Sequence, residues 1–260
     1  MRPSLPALPD GMRIFPGAVL RQLAGGLLRA LLPAACAVCG MASPGLLCDG
    51  CRQQFLVDGA DGLRCPCCAN PLPVGVARQP CGRCLAEPPA FDATVVATDY
   101  AAPFDQLVLQ LKFGGRLALA GLFAGLLRDA VLEQPHFALP ELLCPVPLGR
   151  RRLAERGFNQ ALEIARPLAS ALGVGLYPAL AVRVRETAPQ SLQAPLERRL
   201  NLRHAFVVAP AALLLVRGCH VGLVDDVMTS GQTLDELAAT FKRYGAVRVS
   251  NLVFARTPPH

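Results

Sequence analysis

Four pairs of cysteines, each with two residues between them, crowd one short stretch of the chain: Cys36/Cys39, Cys48/Cys51, Cys65/Cys68 and Cys81/Cys84. On a tight turn, a thiolate pair at this spacing can place both sulfurs on one metal ion. Two such pairs complete a tetrahedral zinc site of four thiolates. Gly40 and Gly82 stand where these turns need backbone freedom. The simplest arrangement is tandem, with Cys36, Cys39, Cys48 and Cys51 on one ion and Cys65, Cys68, Cys81 and Cys84 on another. A crossed arrangement, first pair with third and second with fourth, stays open. Cys67 is expected to remain outside both sites, and Cys144 and Cys219 lie in apolar, strand-like settings that read as core.

A disulfide framework is the rival explanation, and it suits small secreted chains. The apolar run Val19–Leu32 would then have to be a secretion signal, but Arg21 and Arg29 interrupt it and Gly25 and Gly26 weaken it. It reads better as an amphipathic helix, with Leu20, Leu23, Leu27, Leu28 and Leu31 at helical spacing. No uncharged apolar run is long enough to span a bilayer, so the expectation is a cytoplasmic chain without membrane insertion. Across residues 36–90 the charges balance, and neither Tyr nor Trp occurs. A nucleic-acid grip needs positive charge and stacking rings, so the stretch reads as a scaffold that metal folds.

Beyond Phe91 the pattern alternates. Strand-like runs fall at Ala93–Tyr100, Leu142–Pro147, Val221–Val224 and Val247–Ala255, and helix-like runs at Pro103–Lys112, Leu117–Leu132, Asn159–Leu172 and Thr233–Tyr244. Such alternation predicts an α/β fold with a parallel sheet and helices on both faces, and ligands at the carboxyl ends of strands. The predicted organisation is a tail and amphipathic helix over residues 1–32, a double zinc-ribbon module over 33–90, and the α/β domain over 91–260.

One motif in that domain carries chemistry. After the strand Val221–Val224 come Asp225 and Asp226, then a turn with Thr229, Ser230 and Gly231, then a helix beginning near Thr233. Backbone N–H groups at a helix N-terminus, helped by Thr and Ser hydroxyls, cradle a phosphate. Gly231 lets the backbone approach the ligand, and two carboxylates before the turn can accept hydrogen bonds from vicinal hydroxyls. Phosphate on one side and a diol on the other describe ribose 5-phosphate. A response-regulator phosphoacceptor strand also ends in paired acids but lacks the Thr-Ser-Gly-x-Thr turn. A plain strand end with a helix cap would gain little from two adjacent, mutually repelling carboxylates.

The stretch Leu223–Thr233, LVDDVMTSGQT, resembles the phosphoribosyl pyrophosphate (PRPP) signature of type I phosphoribosyltransferases. The four cysteine pairs, LKFGGR (Leu111–Arg116), CPVPLGRRRLAERGFNQ (Cys144–Gln160) and ETAPQSLQAPLERRLNLRHAF (Glu186–Phe206) narrow the resemblance to the ComF family of competence protein F and GntX-like proteins. It covers roughly residues 30–258 and implies a type I phosphoribosyltransferase-like parallel sheet behind a double zinc-ribbon module. By that resemblance Asp225 and Asp226 hold the ribose hydroxyls with an associated magnesium ion, and Thr229, Ser230, Gly231, Gln232 and Thr233 hold the 5-phosphate. The family usually has Thr where Ser230 stands, and Ser keeps the hydroxyl. Type I enzymes place a pyrophosphate loop after the strand corresponding to Leu142–Pro147. Arg151, Arg152, Arg156 and Asn159 are therefore candidate pyrophosphate or acceptor contacts, with Arg156, Asp225 and Asp226 the candidate catalytic set. Lys112 divides between a helix-end role and a substrate role.

Residues 150–203 carry ten arginines against four glutamates, a field that favours phosphates, pyrophosphate or nucleic acid. Within that stretch, Arg185–His204, with Gln190, Arg199 and Asn201, could fold over the site as a lid or form an exposed loop. Three functions fit: phosphoribosyl transfer to an unidentified acceptor, a non-catalytic module that handles single-stranded DNA or docks partners, and a PRPP sensor. The resemblance implies natural competence and DNA uptake, with single-stranded DNA and a helicase-type competence partner as candidate associates.

Overall fold

The structure is a computed structural model that describes residues 34–57, 63–184 and 204–258. The helix expected over Val19–Leu32, and Gln190, Arg199 and Asn201 of the candidate lid, lie outside these residues. The described chain forms two compact units, one ending at Arg52 and the other beginning at Gln53.

In the first unit, β1 (Ala34–Ala35) pairs antiparallel with β2 (Ala42–Ser43), and a single turn of helix, α1 (Asp49–Arg52), follows. The turn between the strands closes through Gly40 N–H donating to the Cys36 carbonyl at 2.9 Å, with Gly40 at φ +76°. That left-handed conformation is open to glycine at no steric cost.

The second unit opens with a π-helical turn (Gln53–Val57) and contains the short helix α2 (Gly82–Ala86). Next come β3 (Ala93–Asp99), α3 (Phe104–Phe113), α4 (Ala118–Leu132) and β4 (Leu142–Pro145). The chain continues through α5 (Arg150–Arg156), α6 (Gln160–Leu172), β5 (Gly175–Leu176) and β6 (Ala181–Arg183). It ends with β7 (Phe206–Val208), α7 (Leu213–Val216), β8 (His220–Met228), α8 (Gln232–Arg243) and β9 (Arg248–Arg256). Five strands form one parallel sheet in the order β3-β9-β8-β4-β5, and β6 and β7 pair as a separate antiparallel ribbon.

The strand order fixes where a ligand can sit. From β4 the chain moves outward through α6 to β5, and from β8 it moves the other way through α8 to β9. Right-handed crossovers in opposite directions put their helices on opposite faces. The carboxyl ends of the neighbours β4 and β8 thus open a crevice at the switch of direction. The apolar stripe of α8 (Leu234, Leu237, Ala238 and Phe241) is buried, as is that of α6 (Ile164, Ala165, Leu168 and Ala169). On β9, Phe254 stacks on Phe123 of α4 with centroids 3.7 Å apart and meets Phe104 edge-on at 6.0 Å.

At β8 the packing closes tightly over a glycine: a Cβ on Gly222 would come within 2.6 Å of Leu143 Cδ2 and of Pro140 Cγ. Gly222→Ala is expected to cost about 2 kcal/mol through overpacking, lowering Tm by roughly 4–8 °C in a thermal melt. An unchanged Tm would contradict this close approach.

Candidate functional site

The strand β8 is longer than the sequence pattern indicates. The expected end at Val224 is corrected to Met228, because β9 keeps offering backbone partners: Asp225 registers with Val253, Val227 with Ala255 and Met228 with Arg256. The acidic pair therefore lies within the strand and not between its end and the turn. Strand alternation then treats the two acids differently. Asp226 is only 3% exposed, and Lys112 at the end of α3 places Nζ 2.6 Å from its Oδ2. Asp225 is half-buried, and its Oδ1 accepts a hydrogen bond from the Asp226 backbone N–H at 2.9 Å.

Burial pushes the Asp225 carboxyl well above the usual carboxylate range, and the neighbouring Asp226 charge adds to this while Lys112 opposes it. A carboxyl whose pKa rises on folding stabilises the fold fully below its unfolded value, near 3.8. That contribution fades as pH climbs through the raised folded value. Asp225→Asn keeps the oxygen that accepts from Asp226 N–H and removes the charge. It is expected to raise stability near neutral pH by about 1 kcal/mol, or roughly 2–4 °C in Tm. It should also flatten the fall in stability between acid and neutral pH, read from urea unfolding at several pH values. A destabilised variant would refute this account of the acidic pair.

From Met228 the chain turns into α8. Gly231 caps the helix at φ +81°, and the Gln232 N–H lies 3.5 Å from Ser230 Oγ. Thr229, Ser230, Gly231, Gln232 and Thr233 line a cavity of about 250 Å³ together with Asp225 and Asp226. The helix N-terminus supplies positive partial charge to it. Lys112, Arg152, Arg156 and Arg183 supply full charges. Arg156 ends α5, sits with its guanidinium carbon 5.2 Å from the centroid of the Phe113 ring, and bonds Gln160 Oε1. Burial draws the Arg156 guanidinium down from its ordinary range, and the nearby Asp226 charge opposes that.

Two residues expected here lie elsewhere. Asn159 does not line the cavity: its side chain caps α6, accepting from Ala161 N–H at 3.0 Å and donating to the Val146 carbonyl at 3.0 Å. Arg151 also lies outside the lining and pairs with Glu155 at 2.8 Å on the exposed side of α5. Conversely, Tyr100 and Arg183 line the cavity from β3's end and from β6, and no local sequence signal marks either.

The eight paired cysteines gather in tandem. In each of the sets Cys36, Cys39, Cys48, Cys51 and Cys65, Cys68, Cys81, Cys84, all sulfurs lie within 4.8 Å of one another. Cys39 and Cys48 sulfurs are 3.7 Å apart and Cys68 and Cys81 sulfurs 3.6 Å. Tetrahedral zinc with bonds of about 2.3 Å separates its sulfurs by about 3.8 Å, so the donor sets fit that ion. Burial raises the Cys36 thiol, but backbone N–H groups from Cys39, Cys48 and Val38 outweigh it and bring it down to about 6. Burial and neighbouring sulfurs push Cys51 up to about 12, and burial takes Cys68 up to about 11. Four thiols this close cannot all ionise unless a cation is among them. Cys67 stays outside both sets, with Sγ 3.8 Å from the Phe91 carbonyl, and Cys144 is fully buried.

A parallel sheet with an acidic strand end, a glycine-capped turn into a helix and a cationic rim has the form of a phosphoribosyltransferase-type domain. Residues 159–258 match the phosphoribosyl transferase domain and residues 27–85 the double zinc ribbon domain. The chain is 40% identical over 196 residues to DNA utilization protein YhgH of Salmonella typhi, covering 74% of this chain and 84% of that protein. With DNA utilization protein YhgH of Escherichia coli strain K12 the identity is 36% over 214 residues, covering 81% and 90%. With competence protein F of Haemophilus influenzae it is 31% over 213 residues, again covering 81% and 90%. The chain belongs to the ComF family, which joins a double zinc ribbon to a phosphoribosyltransferase domain. Among the described residues, no helix is long and apolar enough to cross a membrane.

Proposed function

We propose that the chain binds PRPP, carried as its magnesium complex, in the crevice between β4 and β8, and that this binding serves the use of incoming DNA. The observation that carries the reading is the acidic pair on β8, one carboxylate buried against Lys112, set directly before a glycine-capped helix N-terminus. Asp225 and Asp226 accept hydrogen bonds from the ribose hydroxyls, and the turn Thr229–Thr233 holds the 5-phosphate through N–H groups and hydroxyls. Arg152 and Arg156 face the pyrophosphate, and magnesium supplies further charge neutralisation there. As the acceptor's nucleophilic atom bonds to the anomeric carbon, the bond from that carbon to the pyrophosphate oxygen breaks and its electron pair leaves with pyrophosphate. Guanidinium groups stabilise that developing charge, and no side-chain nucleophile is required. Zinc bound in the two four-cysteine clusters has a folding role.

The relatives named for DNA utilization and competence support the setting, and the cationic rim suits phosphates of a single strand as well as pyrophosphate. The test pairs two measurements on the native chain: calorimetry with PRPP and magnesium, and single-stranded DNA binding across a salt series. PRPP binding with micromolar affinity, accompanied by pyrophosphate release when an acceptor is present, is the expected result. Absence of PRPP binding alongside salt-dependent DNA binding would replace this reading with a non-catalytic strand-handling module. PRPP binding without pyrophosphate release in the presence of DNA or free bases would assign a sensor.

A further inference from the structure

The turn that faces the acidic pair is thin. Met228, Ser230, Gly231 and Gln232 line the 250 Å³ cavity on one side and a second cavity of about 490 Å³ on the other. The far wall of that second cavity is the Cys65/Cys68/Cys81/Cys84 cluster, through Cys68, Arg83 and Cys84. A segment with open space on both faces keeps its shape through the few groups that hold its backbone. Two of those groups are arginines.

Arg256, at the end of β9, is 2% exposed. Its Nη1 donates to the Met228 carbonyl at 2.9 Å, to the Thr229 carbonyl, and to the Thr257 carbonyl at 2.6 Å. Its Nε donates to the carbonyl of Cys68, one of the four cluster ligands, at 3.1 Å. One planar guanidinium thus clamps the start of the phosphate turn to the metal-binding loop. Arg83, between Cys81 and Cys84, makes the second tie, with Nη2 donating to the Ser230 carbonyl at 2.9 Å.

Charge makes the clamp depend on the metal. Among the described residues no carboxylate forms an ion pair with Arg256, and a buried cation without a counter-charge is costly. Four thiolates around a divalent ion carry two net negative charges, and the chain places that cluster beside Arg256. Metal loading therefore stabilises the same guanidinium that holds the turn.

We propose that Arg256 is a positioning residue of the phosphate turn and that, through Cys68 and with Arg83, it couples the turn's geometry to metal loading of the second cluster. The functional meaning rests on the reading that the turn binds an anion; the coupling itself is testable without any ligand.

The experiment uses the full zinc-loaded chain. Zinc release to a chromophoric chelator is followed with and without saturating PRPP and magnesium, and hydrogen exchange of amides 229–233 is measured in parallel. A chain with Cys84→Ser assigns the release phase of the second cluster. Arg256→Gln is expected to speed that phase about fivefold or more, leave the other phase alone, and accelerate exchange at residues 229–233. Arg256→Lys, which keeps the charge but cannot span the carbonyls, should recover zinc retention and not turn protection. Arg83→Ala, at an exposed side chain, gives a weaker version of both effects and serves if Arg256→Gln does not fold. By reciprocity, PRPP tightens zinc binding at the second cluster by the factor with which loading tightens PRPP binding.

Unchanged zinc release and unchanged turn exchange in both Arg256→Gln and Arg83→Ala would overturn the coupling. Equal acceleration of both zinc phases, the mark of general unfolding, would overturn it too. If the native chain binds no PRPP while the variants still loosen zinc and turn together, the coupling stands and the ligand assignment falls.

Discussion

Asp226→Asn is expected to weaken PRPP binding about 100-fold while the chain stays folded. The carboxylate is 3% exposed and already holds Lys112 at 2.6 Å, so it is positioned before any ligand arrives. Asparagine has nearly the same shape but replaces one charged acceptor oxygen with a donor. One or two charge-assisted hydrogen bonds to ribose hydroxyls are lost, at about 1.5–3 kcal/mol each. Roughly 3 kcal/mol corresponds to the expected factor of 100. The freed Lys112 ammonium then stands beside Asp225 alone, which further disfavours the ligand's hydroxyls there. Calorimetry with PRPP and magnesium reads the affinity, and a thermal melt controls for folding. A change below threefold in a variant with native Tm would remove Asp226 from the binding site.

The second large effect separates the two cysteine clusters. Cys84 belongs to the core of the second unit, in the same buried cluster as Phe91, Met228 and Leu234. Cys51 belongs to the unit that ends at Arg52. Structural zinc in small sites contributes on the order of 10 kcal/mol of folding free energy. If Cys84→Ser forfeits even about 3 kcal/mol of that, Tm of the main transition falls by roughly 6–12 °C. Cys51→Ser should cost one zinc as well and leave the main transition within about 2 °C. Metal analysis and calorimetric melts of both variants decide the matter. Equal shifts in Tm would show that both clusters support the sheet alike.

Much of this architecture is legible in the residues. The alternation of apolar runs gives the order of strands and helices, and the Cys-x-x-Cys spacing gives the metal clusters. Turn chemistry gives Gly231 before α8 and Gly245, at φ +95°, after it. The departures have identifiable physics. The end of β8 depends on how far β9 runs beside it, and a strand's own pattern does not contain its neighbour's length. Asn159 was readable as a cap from its place before an apolar helix, but the anion-binding look of the arginines around it suggested a ligand contact. Lys112, Tyr100 and Arg183 reach one cavity from three separate elements, which only the tertiary fold assembles. Arg256 carries no local signal, because its role comes from carbonyls far away in sequence at Cys68, Met228 and Thr229.

The strand order also has a consequence for biosynthesis. In the finished sheet β9 lies between β3 and β8, so β3 gains its hydrogen-bonding neighbour only when the chain has been made through Arg256. On the ribosome the cysteine clusters emerge early and can take up metal while the sheet is still half-built. For that interval β3 waits with an open edge, and such edges invite pairing with other chains. Early metal capture at the Cys65/Cys68/Cys81/Cys84 cluster would leave a folded anchor beside β3 in the nascent chain, ready for the last strand to close.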